Sequence, residues 1–193
     1  MGDNLDAVRT SVVSCTMCDL SKTRTNAVPG AGNIGAGVIF IGEAPGRNED
    51  HQGKPFVGAA GKILSDALEY AGFAREDVYI TNVVKCRPPN NRRPMAEEIK
   101  SCSCHLVREL GIIRPGVVCI LGNTAFGSLL GGREITKNRG KVIKKAGQLY
   151  FITVHPAAVI YNPSLGQVLR DDLKALHGIL GKVKMGLHIT YDE

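Results

Sequence analysis

The chain has 193 residues, 44% of them apolar, which suits one domain with a sizeable core and is short for two. No apolar run reaches bilayer-spanning length, and the opening MGDNLDAVRTS lacks the hydrophobic stretch of a secretion signal, so a membrane-spanning helix is excluded and a cytoplasmic protein is expected. The formal charge of +6 and pI of about 9.1 favour a polyanionic partner, although charge alone selects none.

The first feature in chain order is a C-x-x-C pair, Cys15 and Cys18. Residues 38–42 (VIFIG) form the first of four continuous apolar runs that read as strands covered on both faces. Residues 61–71 carry Ile63, Leu64, Ala67, Leu68 and Ala71 at helical spacing, with Gly72 placed to cap the C-terminus. A second strand is expected at 78–84 (VYITNVV), closely followed by Cys86. Residues 94–110 open with proline and two glutamates, which suits a helix start. A third strand at 117–122 (VVCILG) leads directly into a short helix at 123–130. A fourth at 149–154 (LYFITV) precedes a long amphipathic stretch at 165–180. Strands alternating with helices predict an α/β fold with a mostly parallel, four-stranded sheet in a single domain, 1–193. Ligands of such sheets gather beyond the strands' C-terminal ends, here after Ile41, Ile80 and Val154.

Four cysteines form the first constellation. Cys15 and Cys18 are near enough in sequence to share one centre, and Cys86 follows a strand. On the helix beyond it, Met95, Ile99, Cys102, Leu106 and Leu110 make one stripe, while Cys104 lies about 200° around from Cys102. Cys102 is therefore the expected fourth ligand, Cys104 is spare, and Cys119 inside VVCIL reads as a small buried hydrophobe. Four thiolates suit structural zinc or a 4Fe–4S cluster, spacing does not choose between them, and unliganded buried thiols are the bland alternative.

The strand ends hold the second constellation. After the first come Gly42-Glu43-Ala44-Pro45-Gly46, then Glu49 and Asp50, then Phe56 in a Gly/Pro loop. The pattern is not a phosphate loop; an aromatic there can stack on a flat ring. The second strand ends in Thr81-Asn82, whose amide offers a donor and an acceptor on one face. The fourth ends in His155-Pro156-Ala157-Ala158. A solvated loop, a turn asparagine and a structural histidine are the ordinary readings of these positions.

The segments GEAPGRNEDHQGKPFVGAAG, TNVVKCRPP, EEIKSC and HPAAVIYNP together resemble the iron–sulfur uracil-DNA glycosylases of family 4, found in archaea and thermophilic bacteria. The resemblance covers the chain from Cys15 to about Leu176. It implies a three-layer α/β/α sandwich and an enzyme that flips uracil out of DNA, hydrolyses its N-glycosidic bond and releases free uracil, starting base excision repair with no lyase step. By the same resemblance Cys15, Cys18, Cys86 and Cys102 hold a structural 4Fe–4S cluster. Gly42, Glu43 and Ala44 line the uracil pocket, Phe56 stacks on the base, Asn82 reads N3–H and O4, and His155 lies at O2. Other glycosylases of the superfamily carry an aspartate where this chain has Ala44, so the water-activating role passes to Glu43 or Glu49, with Asp50 behind them. A relative that bonds covalently to DNA does so through a histidine in a basic loop. Residues 88–94 here contain none, so ordinary turnover is expected.

Residues 159–161 are expected to form a loop whose Tyr161 enters the duplex. Arg92, with Arg87, Arg93 and Arg139, is a candidate for phosphate contact. Uracil-containing DNA is the expected partner of a monomer. A sliding clamp is a further candidate, although no clamp-binding motif stands out. Two other classes compete: a metal-stabilised nucleic-acid-binding module, which leaves Phe56, Asn82 and His155 at three strand ends as coincidence, and an iron–sulfur electron carrier, which lacks the expected run of closely spaced cysteines.

Overall fold

The structure, a computed structural model, describes residues 4–192; residues 1–3 and 193, the ends of the expected domain and the start of the opening segment, lie outside the described residues. The elements are α1 (Leu5–Val13), α2 (Leu20–Thr23), β1 (Ala31–Gly32), β2 (Val38–Gly42), α3 (Arg47–Gln52), α4 (Ala59–Ala71), β3 (Tyr79–Asn82), α5 (Ala96–Ile113), β4 (Val117–Leu121), α6 (Gly122–Leu130), α7 (Ile135–Asn138), β5 (Val142–Lys145), β6 (Gln148–Thr153), α8 (Pro156–Tyr161) and α9 (Leu165–Lys184).

The sheet has six strands in the order β1-β3-β2-β4-β6-β5 rather than the expected four. The four predicted strands form its parallel centre, and an antiparallel strand is added at each edge. The edges escape a search for apolar runs because β1 is two exposed residues and β5 (VIKK) turns polar halfway along. The two-residue length of β1 and the lysines of β5 also suit edges that must not recruit another chain.

Although β2 and β4 are buried throughout, their side chains alternate between two cores. Ile39, Ile41, Val118 and Ile120 face α1, α5 and α6, packing with Val12, Leu106 and Phe126. Val38, Phe40, Val117 and Leu121 face α4 and α9, packing with Leu64, Leu68, Leu169 and Leu173. Helices thus cover both faces. Each leucine buried from α4 and α9 contributes about 2 kcal/mol of transfer free energy. Gly72, at φ 88°, ends α4 in the left-handed cap its position predicts. Among the described residues no helix is long and apolar enough to cross a membrane.

Beyond Asn82 the expected strand leaves the ladder but stays beside β2, with Val83 and Val84 donating to the carbonyls of Gly42 and Glu43. This registers the end of β3 against the segment that follows β2. β2 lies between β3 and β4, where the chain's crossovers reverse direction, and there a cleft opens at the strands' C-terminal ends.

Candidate active site

The cleft has a volume of about 710 Å³, and all three strand ends singled out by the sequence reach it. At the first, Gly42 is required by space. A Cβ there would stand 2.5 Å from Asn82 Oδ1 and 2.6 Å from Phe56 Cζ, so its absence lets the amide and the ring converge. Phe56 is 6% exposed and its ring centroid lies 5.8 Å from that of His155.

Asn82 is buried, and its Oδ1 has no hydrogen-bond partner among the described residues. Its backbone carbonyl accepts from Lys85 Nζ at 2.9 Å. Lys85 is buried too and pairs with the buried Glu109 at 2.6 Å. Glu109 in turn accepts from Thr81, Tyr79 and the Gly30 backbone. A buried ion pair is tolerated when its remaining donors and acceptors are also satisfied, as these are. Because Lys85 looks in sequence like one more basic residue, this brace behind Asn82 is hidden in the sequence. The signal available was a lysine directly continuing the apolar run VYITNVV.

His155 caps α8: its Nδ1 accepts the Ala157 backbone N–H at 3.1 Å. That bond assigns the ring proton to Nε2, which is buried without a partner among the described residues. Burial pushes the imidazole pKa down to about 4, against a smaller upward pull from Glu49. The ring is therefore neutral at pH 7 with an N–H to offer. The sign for stability follows from linkage. Above pH 6.5 His155 is neutral in both folded and unfolded chains, and between about 6.5 and 4 only the unfolded chain gains its proton. Stability should thus fall by roughly 3 kcal/mol across that window from this group. In His155→Asn the loss of stability from pH 7 to pH 4.5, followed by urea unfolding, should be shallower; an unchanged slope would show that His155 does not titrate as buried.

The carboxylates separate by partner. Glu49 is buried and both oxygens serve backbone N–H groups: Oε1 accepts from Val57 and Gly58 at 2.8 and 2.7 Å, and Oε2 from Gly46 at 3.1 Å. It ties the loop before α4 to the start of α3. Asp50 accepts from Thr25 and Asn26, so it anchors the N-terminal segment and does not stand in the cleft. Glu43 lines the cleft, with one oxygen held by the Thr124 hydroxyl.

At the rim, Arg92 makes a two-pronged pair with Glu98, at 2.9 and 2.6 Å, and keeps its side chain partly exposed. Arg87 is held by Asn91, and Arg93 is exposed beside the cleft. Arg139 lies away from the cleft lining, with its guanidinium bound to the buried Asp172, which also accepts from Thr153. The segment expected as a loop at 159–161 is instead the last turn of α8, started by Pro156 and the His155 cap. Tyr161 ends that helix 88% exposed, beside half-exposed Ile160.

Cys15, Cys18, Cys86 and Cys102 line one pocket between α1, α5 and the segment after β3. Cys104 is exposed and Cys119 is buried in β4, as their positions predict. Two thiols already receive N–H donors: Arg24 Nη1 reaches Cys86 Sγ at 2.9 Å, and the Lys85 amide reaches Cys102 Sγ at 3.2 Å. Burial pushes the Cys102 thiol up to about 12, so a thiolate there calls for a bound cation. Arg24 also bonds the carbonyls of Val13 and Cys15. His105, three residues after Cys102, lines the pocket with both ring nitrogens buried and without a partner among the described residues. Nothing in its sequence neighbourhood marks Arg24, whereas His105 falls on the α5 stripe of Cys102 and Leu106, a detectable signal. Among the described residues no three His, Cys, Asp or Glu side chains are gathered so as to hold a single metal ion.

A doubly covered α/β sheet with an aromatic, an amide and a neutral imidazole converging on one cleft beyond its strand ends has the layout of an α/β protein whose site lies at the strands' C-terminal ends. Residues 29–176 match the family described as the uracil DNA glycosylase superfamily. The chain is 47% identical to the type-4 uracil-DNA glycosylase of Archaeoglobus fulgidus, over 93% of this chain and 95% of that one. It is also 47% identical to the enzyme of that name from Sulfurisphaera tokodaii, over 90% and 84%, and 42% identical to that from Thermotoga maritima, over 92% and 95%. The chain belongs to the uracil DNA glycosylase superfamily, in its type-4 group.

Proposed function

We propose that this protein excises uracil from DNA through Asn82, Phe56 and His155, and that its four clustered cysteines hold a 4Fe–4S centre. It is a uracil-DNA glycosylase. The observation that carries the assignment of roles is the pair of buried atoms without protein partners, Asn82 Oδ1 and His155 Nε2, in the one cleft beside Phe56. Buried polar atoms are left unpaired rarely and at a cost, so a ligand that completes both is the economical reading.

The base must leave the stack to enter a cleft of this kind. Uracil's N3–H meets Asn82 Oδ1, its O4 takes the amide N–H, and its ring lies on Phe56. Cytosine presents the reverse pattern at both positions and leaves the amide unpaired. As the C1′–N1 bond breaks, its electron pair moves onto the base and negative charge grows at O2. The neutral His155 Nε2–H donates there without gaining a proton, and a preorganised donor of this kind lowers the barrier by roughly 3–4 kcal/mol. Water adds to C1′ of the sugar cation and gives up a proton to solvent, and the departing uracil anion takes up a proton on release, so the hydrolysis balances. Glu43 is the candidate to orient that water, since Glu49 is committed through both oxygens to backbone amides. Glu49 instead contributes negative charge close to the developing sugar cation.

Cys15, Cys18, Cys86 and Cys102 fit a cluster better than a single ion. A cluster takes one thiolate per iron and so asks for four ligands spaced around it, and N–H donors to sulfur are already in place at Cys86 and Cys102. When bound, the cluster supplies a rigid cross-link between the N-terminal segment, the end of β3 and α5. On the DNA side, Tyr161 enters the duplex behind the flipped base, and Arg92 and Arg93 meet phosphates. The chain acts as one cytoplasmic domain and as a monomer, releasing free uracil; a sliding clamp is a partner to test for.

One incubation tests the reading. A uracil-containing oligonucleotide treated with the protein and then with alkali should break at the uracil position, and an intact strand would overturn the proposal. The purified protein should be brown, whereas a colourless zinc protein of equal activity would remove the iron.

A further inference from the structure

The backbone at Phe56 is unusual for its residue type: φ is 52°, in the left-handed region that a bulky side chain seldom enters. Such a conformation persists only where the surroundings over-determine it, and the structure supplies the restraints from behind the ring. The Phe56 carbonyl is turned away from the cleft, against α4 at Gly61. A Cβ on Gly61 would stand 1.9 Å from that carbonyl oxygen, so only glycine leaves room for it. The oxygen accepts from Arg75 Nη2 at 2.9 Å, and the same nitrogen reaches the Pro55 carbonyl at 3.3 Å. Arg75 is itself fixed, since its Nη1 donates to Ser65 Oγ at 2.8 Å and that hydroxyl donates to the Gly61 carbonyl at 3.1 Å. Its guanidinium is half-buried between α4 and the 3₁₀ turn at Arg75–Asp77, outside the cleft.

We infer that Arg75 is a positioning residue for the base-stacking aromatic: its guanidinium fork holds the Pro55 and Phe56 carbonyls so that the Phe56 ring stays pre-set beside Asn82 and His155. The inference rests on the reading that Phe56 stacks on uracil. Without the fork the peptide is released to relax toward an ordinary φ, which swings the ring out of register with the amide and imidazole. The cost falls on binding and on every step that needs the base in place, including product binding. Lysine keeps the charge but cannot span both carbonyls and the serine in one plane.

A double-mutant cycle separates this role from a general structural one. Arg75→Ala should lower kcat/KM on uracil-containing DNA, and weaken inhibition by free uracil, by roughly tenfold or more, the scale of a lost charge-assisted hydrogen bond. Arg75→Lys should fall between that variant and the wild type. In a Phe56→Ala background, Arg75→Ala should change neither quantity further, because the ring it positions is gone. If Phe56→Ala alone leaves both unchanged, the stacking reading fails and the inference with it. If Phe56→Ala is impaired but Arg75→Ala is not, or if the two losses multiply in the double variant, stacking stands and the positioning role is overturned. Thermal melting of each variant checks folding. Should Arg75→Ala fail to fold, the same cycle run with Arg75→Lys decides between the same outcomes.

Discussion

Replacing His155 with asparagine should lower the rate of uracil release by roughly 100- to 1,000-fold while leaving the fold intact, the loss found when a preorganised donor to a developing oxyanion is removed. The choice of asparagine follows from the residue's double duty. Through Nδ1 it caps α8, and through Nε2 it faces the cleft. Alanine removes both functions and adds a loss of about 1 kcal/mol in helix capping. Asparagine is a favourable cap residue, yet it is too short to reach where Nε2 lies, so it isolates the donor. Single-turnover cleavage at pH 7, read against a thermal melt, measures the effect. Turnover near the wild-type level in a folded His155→Asn protein would remove His155 from the mechanism. Because burial holds the imidazole's pKa near 4, the rate should also show no step attributable to His155 between pH 8 and 6.

Asn82→Asp should change which base is accepted. In the proposed reading the amide offers an acceptor to N3–H and a donor to O4, and its Oδ1 is buried with no partner among the described residues. A carboxyl in that position is forced toward its protonated form by burial. It then presents a donor and an acceptor that can face cytosine's N3 and amino group. The ratio of kcat/KM for uracil over cytosine in matched oligonucleotides should collapse by a factor of about 100 or more. Polar-edge recognition of this type supports discrimination on the order of 10⁴. A ratio equal to the wild type's would mean that Asn82 does not read the base. The Lys85 ammonium is bonded to the Asn82 backbone carbonyl and not to its side chain, so the substitution leaves the buried Lys85–Glu109 pair in place.

The parts of this molecule that the sequence makes legible are those whose physics is local. Continuous runs such as VIFIG and VVCIL announce doubly covered strands, because every position of them is buried. The stripe through Ile99, Cys102 and Leu106 separates Cys102 from Cys104, since a helix fixes which residues share a face, and the structure leaves Cys104 exposed while Cys102 is buried. The edge strands were not legible, because β1 has no side-chain pattern and β5 only half of one. In the sequence the last turn of α8 reads as a loop, because its start depends on a cap made by a histidine, a residue not usually counted among cap formers.

For the site itself, the sequence alone determines the inventory: Phe56, Asn82 and His155 beyond strand ends, three carboxylates near one of them, four cysteines in three places, and a family resemblance that orders them. The tertiary structure alone decided which members of that inventory are committed elsewhere. Glu49 and Asp50 spend their oxygens on backbone amides, and Arg139 is tied to Asp172. Lys85 is buried against Glu109, and Arg75 holds a strained loop from behind. The reason is physical. Whether a charged or polar group is free to meet a ligand depends on which distant groups the fold brings within about 3 Å of it. That distance is set by packing between elements far apart in the chain, and no pattern among neighbouring residues encodes it.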